Sequence, residues 1–274
     1  MPQKLLNSMK FHSDVCHKHT YIKDHQEVVK PIQKMIINGE VVCPRCESEK
    51  NDRQLQEELQ QQYESAKERQ NYNTLYKHSI IEDETLLNAT FANYHVTQKE
   101  ETANKQILLE GVERLKRGQV FNVILQGNQG SGKSHLAYAA LRELNEQGAD
   151  TTCLFVNVES MLRKLKNSFN DRESKYTESY LVELMSSVTF LVLDDIGAET
   201  GAIETDKTAT DFVQRILYAI TTTRQNKATF ITTNLSSKTL FKMYDKKLVS
   251  RMLKNPKYIV FQETKDKRIG TLPF

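Results

Sequence analysis

Apolar residues are unevenly spread along the chain. From about Leu86 onward, short continuous apolar runs alternate with segments whose apolar residues recur at helical spacing. The runs at 121–125, 153–158, 189–193, 229–233 and 258–261 predict strands. Segments 102–116, 133–146, 160–166, 176–186, 212–222 and, with breaks, 240–253 predict helices; Ile107, Leu108, Val112 and Leu115 mark the first of them. Strands that are apolar without alternation, separated by helices, predict a parallel sheet covered on both faces. Segment 51–78 is rich in Gln and Glu. Its thin stripe of Leu55, Leu59, Tyr63 and Ala66 suits a solvated helix rather than a core helix. Residues 1–50 show little helical periodicity, and no internal repeat is visible. The expected organisation is a small module (1–50), a helical linker (51–85) and an α/β domain (86–274).

Composition narrows the class. A chain of 274 residues with 38% hydrophobic and 27% charged side chains has room for one large domain and something smaller. Net charge is +3, from 38 basic and 35 acidic residues, which excludes an arm that binds nucleic acid by bulk charge alone. The total hides an asymmetry. Residues 1–85 carry twelve basic and fourteen acidic groups, whereas 241–274 carry nine basic and three acidic. The longest apolar runs are four to six residues, and a membrane span needs about 20. Residues 1–10 lack the apolar stretch of a signal peptide. The expectation is a soluble, cytoplasmic protein with no membrane partner and with unpaired cysteines.

The strongest chemical signal is Gly127-Asn128-Gln129-Gly130-Ser131-Gly132-Lys133-Ser134. It fits G-x-x-x-x-G-K-[ST] between a predicted strand and a predicted helix, the context that a phosphate-binding loop requires. Glycines let backbone amides approach phosphates, and the helix N-terminus adds free N–H groups. Lys133 supplies charge to the β- and γ-phosphates of ATP, and the Ser134 hydroxyl is suited to ligate Mg2+. The predicted strand 189–193 runs into Asp194 and Asp195. A strand tip there places Asp194 beside the Mg2+ and leaves Asp195 to orient or deprotonate water. Asn234 ends the next strand, where an amide can hold the attacking water; the plainer alternative is a turn-initiating Asn.

The amino-terminal module holds Cys16-x2-His19 and Cys43-x2-Cys46, a Cys3His set suited to structural Zn2+. His17 competes with His19 as the ligand, and spacing favours His19. Asn38-Gly39 supplies a turn before Val41-Val42, so that Cys-Pro-x-Cys sits at the tip of a ribbon. A redox Cys-x-x-Cys is the alternative, but it wants a βαβ setting that this segment lacks. Cys153 lies in an apolar strand and is expected to be core.

With these elements in order, the chain resembles the AAA+ ATPases. More narrowly, it is similar to the DnaC/DnaI-type loaders of bacterial and phage replicative helicases. The matching stretches are Ala89-Thr-Phe-Ala-Asn-Tyr94, 126–135 (which ends at His135), Leu191-Val-Leu-Asp-Asp-Ile-Gly197, Ile231-Thr-Thr-Asn234 and Leu248-Val-Ser-Arg-Met252. The fold class implied is α/β, an AAA+ P-loop ATPase core with a parallel sheet, preceded by a zinc-ribbon-like module and a helical linker. In that resemblance Asn234 matches sensor 1, and Arg251 matches the arginine finger that completes a neighbouring subunit's site. Arg268 matches sensor 2, with Lys267 an equal contender on register. Many AAA+ proteins carry Glu at the position of Asp195; the shorter Asp implies slow hydrolysis.

The activity implied is an ATPase stimulated by DNA or partner. The partners implied are a hexameric replicative DNA helicase, gripped by the amino-terminal module, single-stranded DNA, and further copies of the chain. Arg163, Lys164, Lys166, Phe169, Tyr176 and Tyr180 lie where initiator-type AAA+ proteins carry an extra helix. They are the candidate DNA contacts, although segment 159–187 has five basic and five acidic groups. The rival readings are an IstB-like transposition-helper ATPase and a nucleotide-binding helicase adaptor without hydrolysis.

Overall fold

The computed structural model describes residues 10–148, 150–200 and 208–267. The chain forms two compact units, Met1–Ala66 and Lys67–Phe274. Arg268 lies outside the described residues.

The first unit contains a three-stranded antiparallel sheet of β1 (Lys10–Cys16), β4 (Ile32–Ile37) and β5 (Glu40–Val42), with β4 central. A separate hairpin pairs β2 (Thr20–Lys23) with β3 (Gln26–Val29). Both two-residue turns, Asp24-His25 and Asn38-Gly39, have positive φ throughout, as hairpin turns that match strand twist require. Helix α1 (Pro44–His78) then begins at Pro44 rather than at Asn51, because Pro opens a helix at no hydrogen-bonding cost. Leu55, Leu59 and Tyr63 are exposed on it, so its thin stripe is solvated as expected.

The second unit is built on a five-stranded parallel sheet in the order β10-β6-β9-β8-β7. The strands are β6 (Asn122–Gly127), β7 (Cys153–Asn157), β8 (Phe190–Asp194), β9 (Thr229–Thr233) and β10 (Pro256–Phe261). Successive residues of one strand feed opposite cores. Cys153 and Phe155 pack with α2 (Lys99–Lys116), α3 (Lys133–Asn145) and Leu75 of α1. Leu154 and Val156 pack with α4 (Val158–Ser168), α5 (Glu178–Ser187), α6 (Asp211–Thr223), α7 (Ser237–Met243) and α8 (Lys246–Met252). The doubly covered parallel sheet is the one the apolar runs predict, and Cys153 is core. Ile80 pairs with Val156 at the open edge of β7, giving and accepting 2.8 Å backbone bonds.

A buried cation sits at the amino ends of β8 and β9. Arg224, 4% exposed, donates to the carbonyls of Met185, Val188, Thr189 and Ala228 and to the Thr229 hydroxyl. It collects carbonyls left over at the end of α5 and the start of β8, as the orphan groups of helix ends demand. Burial pulls its pKa down to about 9. Arg224→Met is expected to lower the unfolding free energy by at least about 3 kcal/mol in urea titration, since several buried acceptors lose their donor at once.

Candidate functional site

The carboxyl ends of the parallel strands face a cavity of about 710 Å3. Gly130, Gly132, Lys133, Ser134, His135, Asp195 and Asn234 line it, with Tyr94, Glu101 and Lys267 across from them. The phosphate-loop glycines earn their places by geometry. Gly132 has φ +87°, and a Cβ there would stand 2.6 Å from Cε2 of Tyr94. Lys133, 5% exposed, donates to the carbonyls of Gly127 (2.9 Å) and Asn128 (2.7 Å) and to Oδ1 of Asn234 (2.7 Å). Strand β9 thus brings Asn234 directly to the phosphate-loop lysine. His135 lies in the first turn of α3, its Nε2 at 2.9 Å from the Thr90 carbonyl, and burial lowers its pKa.

Asp194 is buried at the tip of β8. Its carboxylate accepts from Thr232 Oγ1 (2.7 Å) and also meets the side chains of Ser134 and Asn157. Burial and the charge of Asp195 push its pKa up to about 6 against those three hydrogen bonds. Asp195 follows with φ +57°, its amide donating to Thr232 Oγ1 (2.8 Å), and its side chain lines the cavity. Ser134 and Asp194 therefore meet as a hydroxyl and a carboxylate, the hard oxygen pair that suits Mg2+.

One wall was only partly legible in the sequence. Glu100 accepts the amides of Gln262, Glu263 and Thr264 and the Thr264 hydroxyl. That strap carries Lys265-Asp266-Lys267 to the phosphate loop, where the Lys267 amide donates to the Gly130 carbonyl (3.1 Å). The Lys267 ammonium lies over the Tyr94 ring (3.8 Å), bonds the His95 carbonyl and pairs with Glu101 (3.2 Å). Burial opposes charge on Glu101, but the amides of Thr97 and Gln98 and the Lys267 ammonium outweigh it and hold the carboxyl below its usual range. Lys267, one contender for sensor 2, lines the cavity; Arg268, the other, lies outside the described residues. In the sequence Glu100 and Glu101 carry no distinguishing signal, because acidic residues in the first turn of a helix ordinarily just favour its dipole.

Arg251 is not brought to this cavity. It lies on α8 over the Tyr218 ring (4.4 Å), donates to the Lys247 carbonyl (3.1 Å) and lines a separate cleft with Asn122 and Lys254. The candidate DNA contacts are partly engaged with neighbours. Arg163 pairs with Glu82, Lys164 lies over Tyr176, and the Tyr180 hydroxyl is 3.4 Å from His78. Phe169 remains 64% exposed.

In the first unit, Cys16, His19, Cys43 and Cys46 bring their ligand atoms within 4.8 Å of one another. Nε2 of His19 is 3.2 Å from the Cys46 sulfur and 3.3 Å from that of Cys43, and the Cys16 and Cys46 sulfurs are 3.8 Å apart. His17 is exposed, so the choice between the two histidines falls to His19. The other ring nitrogen of His19 lies 3.4 Å from the Glu49 carboxylate, the outer partner that orients a metal-bound imidazole. Burial opposes ionisation of Cys43, but the amides of Cys46 and Arg45 and the His19 ring bring it down to about 7. Burial and the neighbouring Cys16 and Cys43 push Cys46 up to about 11. Three thiols and an imidazole at these separations fit a tetrahedral ion of Zn2+ size.

The family model of the IstB-like ATP binding proteins matches residues 47–255. The chain belongs to this family. The match takes in the phosphate loop, Asp194, Asp195, Asn234 and Arg251, while Cys16, His19, Cys43, Cys46 and Lys267 lie outside it. Over 175 residues this IstB-like protein is 27% identical to the replicative helicase loader DnaC of Escherichia coli K12, covering 64% of the chain and 67% of the relative. Its fold is that of the crystal structure of the DnaC helicase loader (TM-score 0.54, 22% identity, 65% of this chain and 99% of that one). The structure of DnaI is similar as well (TM-score 0.53, 22% identity, 66% and 95%). These likenesses support the AAA+ P-loop architecture and, with the family, ATP binding. Among the described residues no helix is long and apolar enough to cross a membrane.

Two outcomes follow for this IstB-like ATP-binding site. Gly132→Ala is expected to abolish binding of a fluorescent ATP analogue, because the added methyl meets Tyr94 in a backbone region closed to Ala. Asp194 is an acid whose folded pKa is raised, so its ionised form opposes folding, and the penalty grows from about pH 4 to about pH 6 and persists above. Asp194→Asn should therefore raise the melting temperature at pH 8 in the absence of nucleotide and magnesium. At pH 4 the variant and the parent should melt together.

Proposed function

We propose that this protein is an ATP-dependent loader that binds a replicative DNA helicase and delivers it onto single-stranded DNA during replication initiation. The observation that supports this reading best is the relationship to replicative helicase loaders across the ATPase region. The amino-terminal unit, 1–50, would grip the helicase, and 51–85 would link it to the ATPase, 86–274. Zn2+ held by Cys16, His19, Cys43 and Cys46 would supply the cross-link that this unit's sparse apolar packing does not. Among its described residues the buried side chains are Cys16, His19, Met35 and Cys43.

In the ATPase, Ser134 and Asp194 would hold Mg2+, which neutralises charge on the β- and γ-phosphates when bound. Residues 127–134 cradle the phosphates through their amides, and His135 continues that turn of α3. Lys133 exchanges its carbonyl acceptors and Asn234 for phosphate oxygens. Asn234, released, turns to the attacking water together with Asp195. Lys267, which lines the cavity, or its neighbour Arg268 supplies the sensor-2 charge. Arg251, remote from its own cavity, acts on the ATP of a neighbouring copy, where a guanidinium neutralises charge developing on the transferred phosphoryl group. The short Asp195 side chain makes hydrolysis slow and dependent on DNA or partner, as suits a switch.

Lys133→Ala should lose ATP binding at least tenfold in equilibrium titration, and Asp195→Asn should bind ATP but lose DNA-stimulated hydrolysis. His19→Ala should release zinc, read by metal analysis, and lose co-purification with a hexameric replicative helicase while the ATPase unit still binds nucleotide. Capture of a transposase in place of the helicase would overturn the loader reading in favour of the transposition-helper one. Nucleotide binding without turnover, even with helicase and DNA, would favour an adaptor.

A further inference from the structure

The loop that follows the two aspartates is tied to the joint from which Arg251 projects. Thr232 Oγ1 donates to Asp194 (2.7 Å) and accepts the amide of Asp195 (2.8 Å). Thr233 Oγ1 donates to the Ile196 carbonyl (2.7 Å), and the Ile196 amide donates to the Thr232 carbonyl (3.0 Å). These bonds make the turn after β8 and the end of β9 one unit. Gly197, at φ +103°, lets the chain press against Leu235, whose Cγ lies 3.0 Å from where a Cβ would be. The Gly197 amide donates to one oxygen of Glu199 (2.9 Å), and the Tyr244 hydroxyl donates to the other.

Tyr244 caps the end of α7 and is buried. The next residue, Asp245, caps the start of α8, its carboxylate accepting the Lys247 amide (2.7 Å). Arg251 lies near the end of that helix and is held through the Lys247 carbonyl. Burial, and the nearby charge of Glu199, push the Tyr244 hydroxyl well above its usual range, so it stays a donor. Nothing in ATP binding or hydrolysis uses Glu199 or Tyr244 directly. Neither lines the nucleotide cavity. A carboxylate placed half inside the protein to receive one loop amide and one remote hydroxyl is a mechanical link between two elements.

We propose that Glu199 and Tyr244 are positioning residues that couple a subunit's own Asp194–Asp195 turn to the Arg251 it offers to the next subunit. The inference rests on the proposed action of Arg251 on a neighbouring copy. A shift of the turn on nucleotide binding pulls on Gly197, then Glu199, then the α7–α8 joint. The arginine is thereby presented according to what its own subunit holds. Coupling of this kind is a free energy shared by the two sites, so it appears as cooperativity in ATP concentration.

The joint has other anchors. The Ala209 amide donates to the Met243 carbonyl (2.9 Å) and the Asp245 amide to Gln214 (2.8 Å), so removal of one hydroxyl leaves it folded. The test uses the full chain with helicase and single-stranded DNA, reading ATPase rate against ATP concentration for the parent, Tyr244→Phe, Glu199→Gln and Arg251→Ala. Analogue binding is read by equilibrium titration on each. Tyr244→Phe should bind the analogue as the parent does, lose turnover by about five- to tenfold, and bring the Hill coefficient to one. Glu199→Gln keeps one acceptor oxygen for the Gly197 amide and can donate its NH2 to the Tyr244 hydroxyl oxygen, so both contacts survive and most of the cooperativity should be retained. If Arg251→Ala lowers turnover but Tyr244→Phe keeps the parent's rate and Hill coefficient, the coupling is wrong and the finger reading stands. If Arg251→Ala turns over like the parent, the finger reading fails and the coupling falls with it.

Discussion

A carboxylate buried at the end of an apolar strand must be met by donors, and the demand made by Asp194 organises the working edge of this protein. Its partners come from three directions: Thr232 from the adjacent strand, Ser134 from the phosphate loop and Asn157 from the strand on the other side. Only a parallel sheet brings three strand ends and a helix start to one level, because every strand then finishes at the same edge. The same alignment carries Asn234 to Lys133. Polar side chains that would be costly in isolation satisfy one another here, and each holds a group that ATP chemistry can use.

The two units meet the cost of ordering a chain by different means. The second has two apolar cores, one on each side of its sheet. The first has a central Cys3His cluster, short strands and a helix whose residues 51–66 are all exposed. Small segments without enough apolar area depend on a cross-link, and a metal is the cross-link that these four side chains fit. A charge or cavity introduced into the second unit is spread over many neighbours, whereas the first unit has only four buried side chains among its described residues, three of them in the Cys3His cluster.

The sequence is most transparent where one residue type has one physical meaning. Five apolar runs without alternation became five parallel strands, and the phosphate loop, Asp194, Asp195 and Asn234 lie around one site. The strands of the first unit were opaque because both of their faces are largely exposed, as at Ile22 and Val29, so no alternation marks them. Helix α1 starts earlier than its Gln- and Glu-rich segment: Cys43-Pro-Arg-Cys46 reads as a knuckle, yet its Pro also opens a helix. Glu100, Glu101 and Glu199 resemble ordinary surface acids in the sequence. Their roles emerge only when a strap, an ammonium or a tyrosine from a distant segment reaches them. Arg224 is similar: a lone basic residue after a helix gives no sign that it will gather four carbonyls.

The single pairing of Ile80 with Val156 has a practical meaning. Strand β7 ends the sheet, and its outer side offers unpaired amides and carbonyls to any passing chain. Ile80 takes up the backbone groups of Phe155 and Asn157 on that side, just before the segment at which the ATPase was expected to begin. A fragment cut at residue 86 would retain the whole nucleotide cavity except Asp83 and Thr85, and would leave that edge raw. The short stretch after α1 is thus a guard against edge-to-edge self-association, and the natural place to begin an isolated ATPase is Lys67.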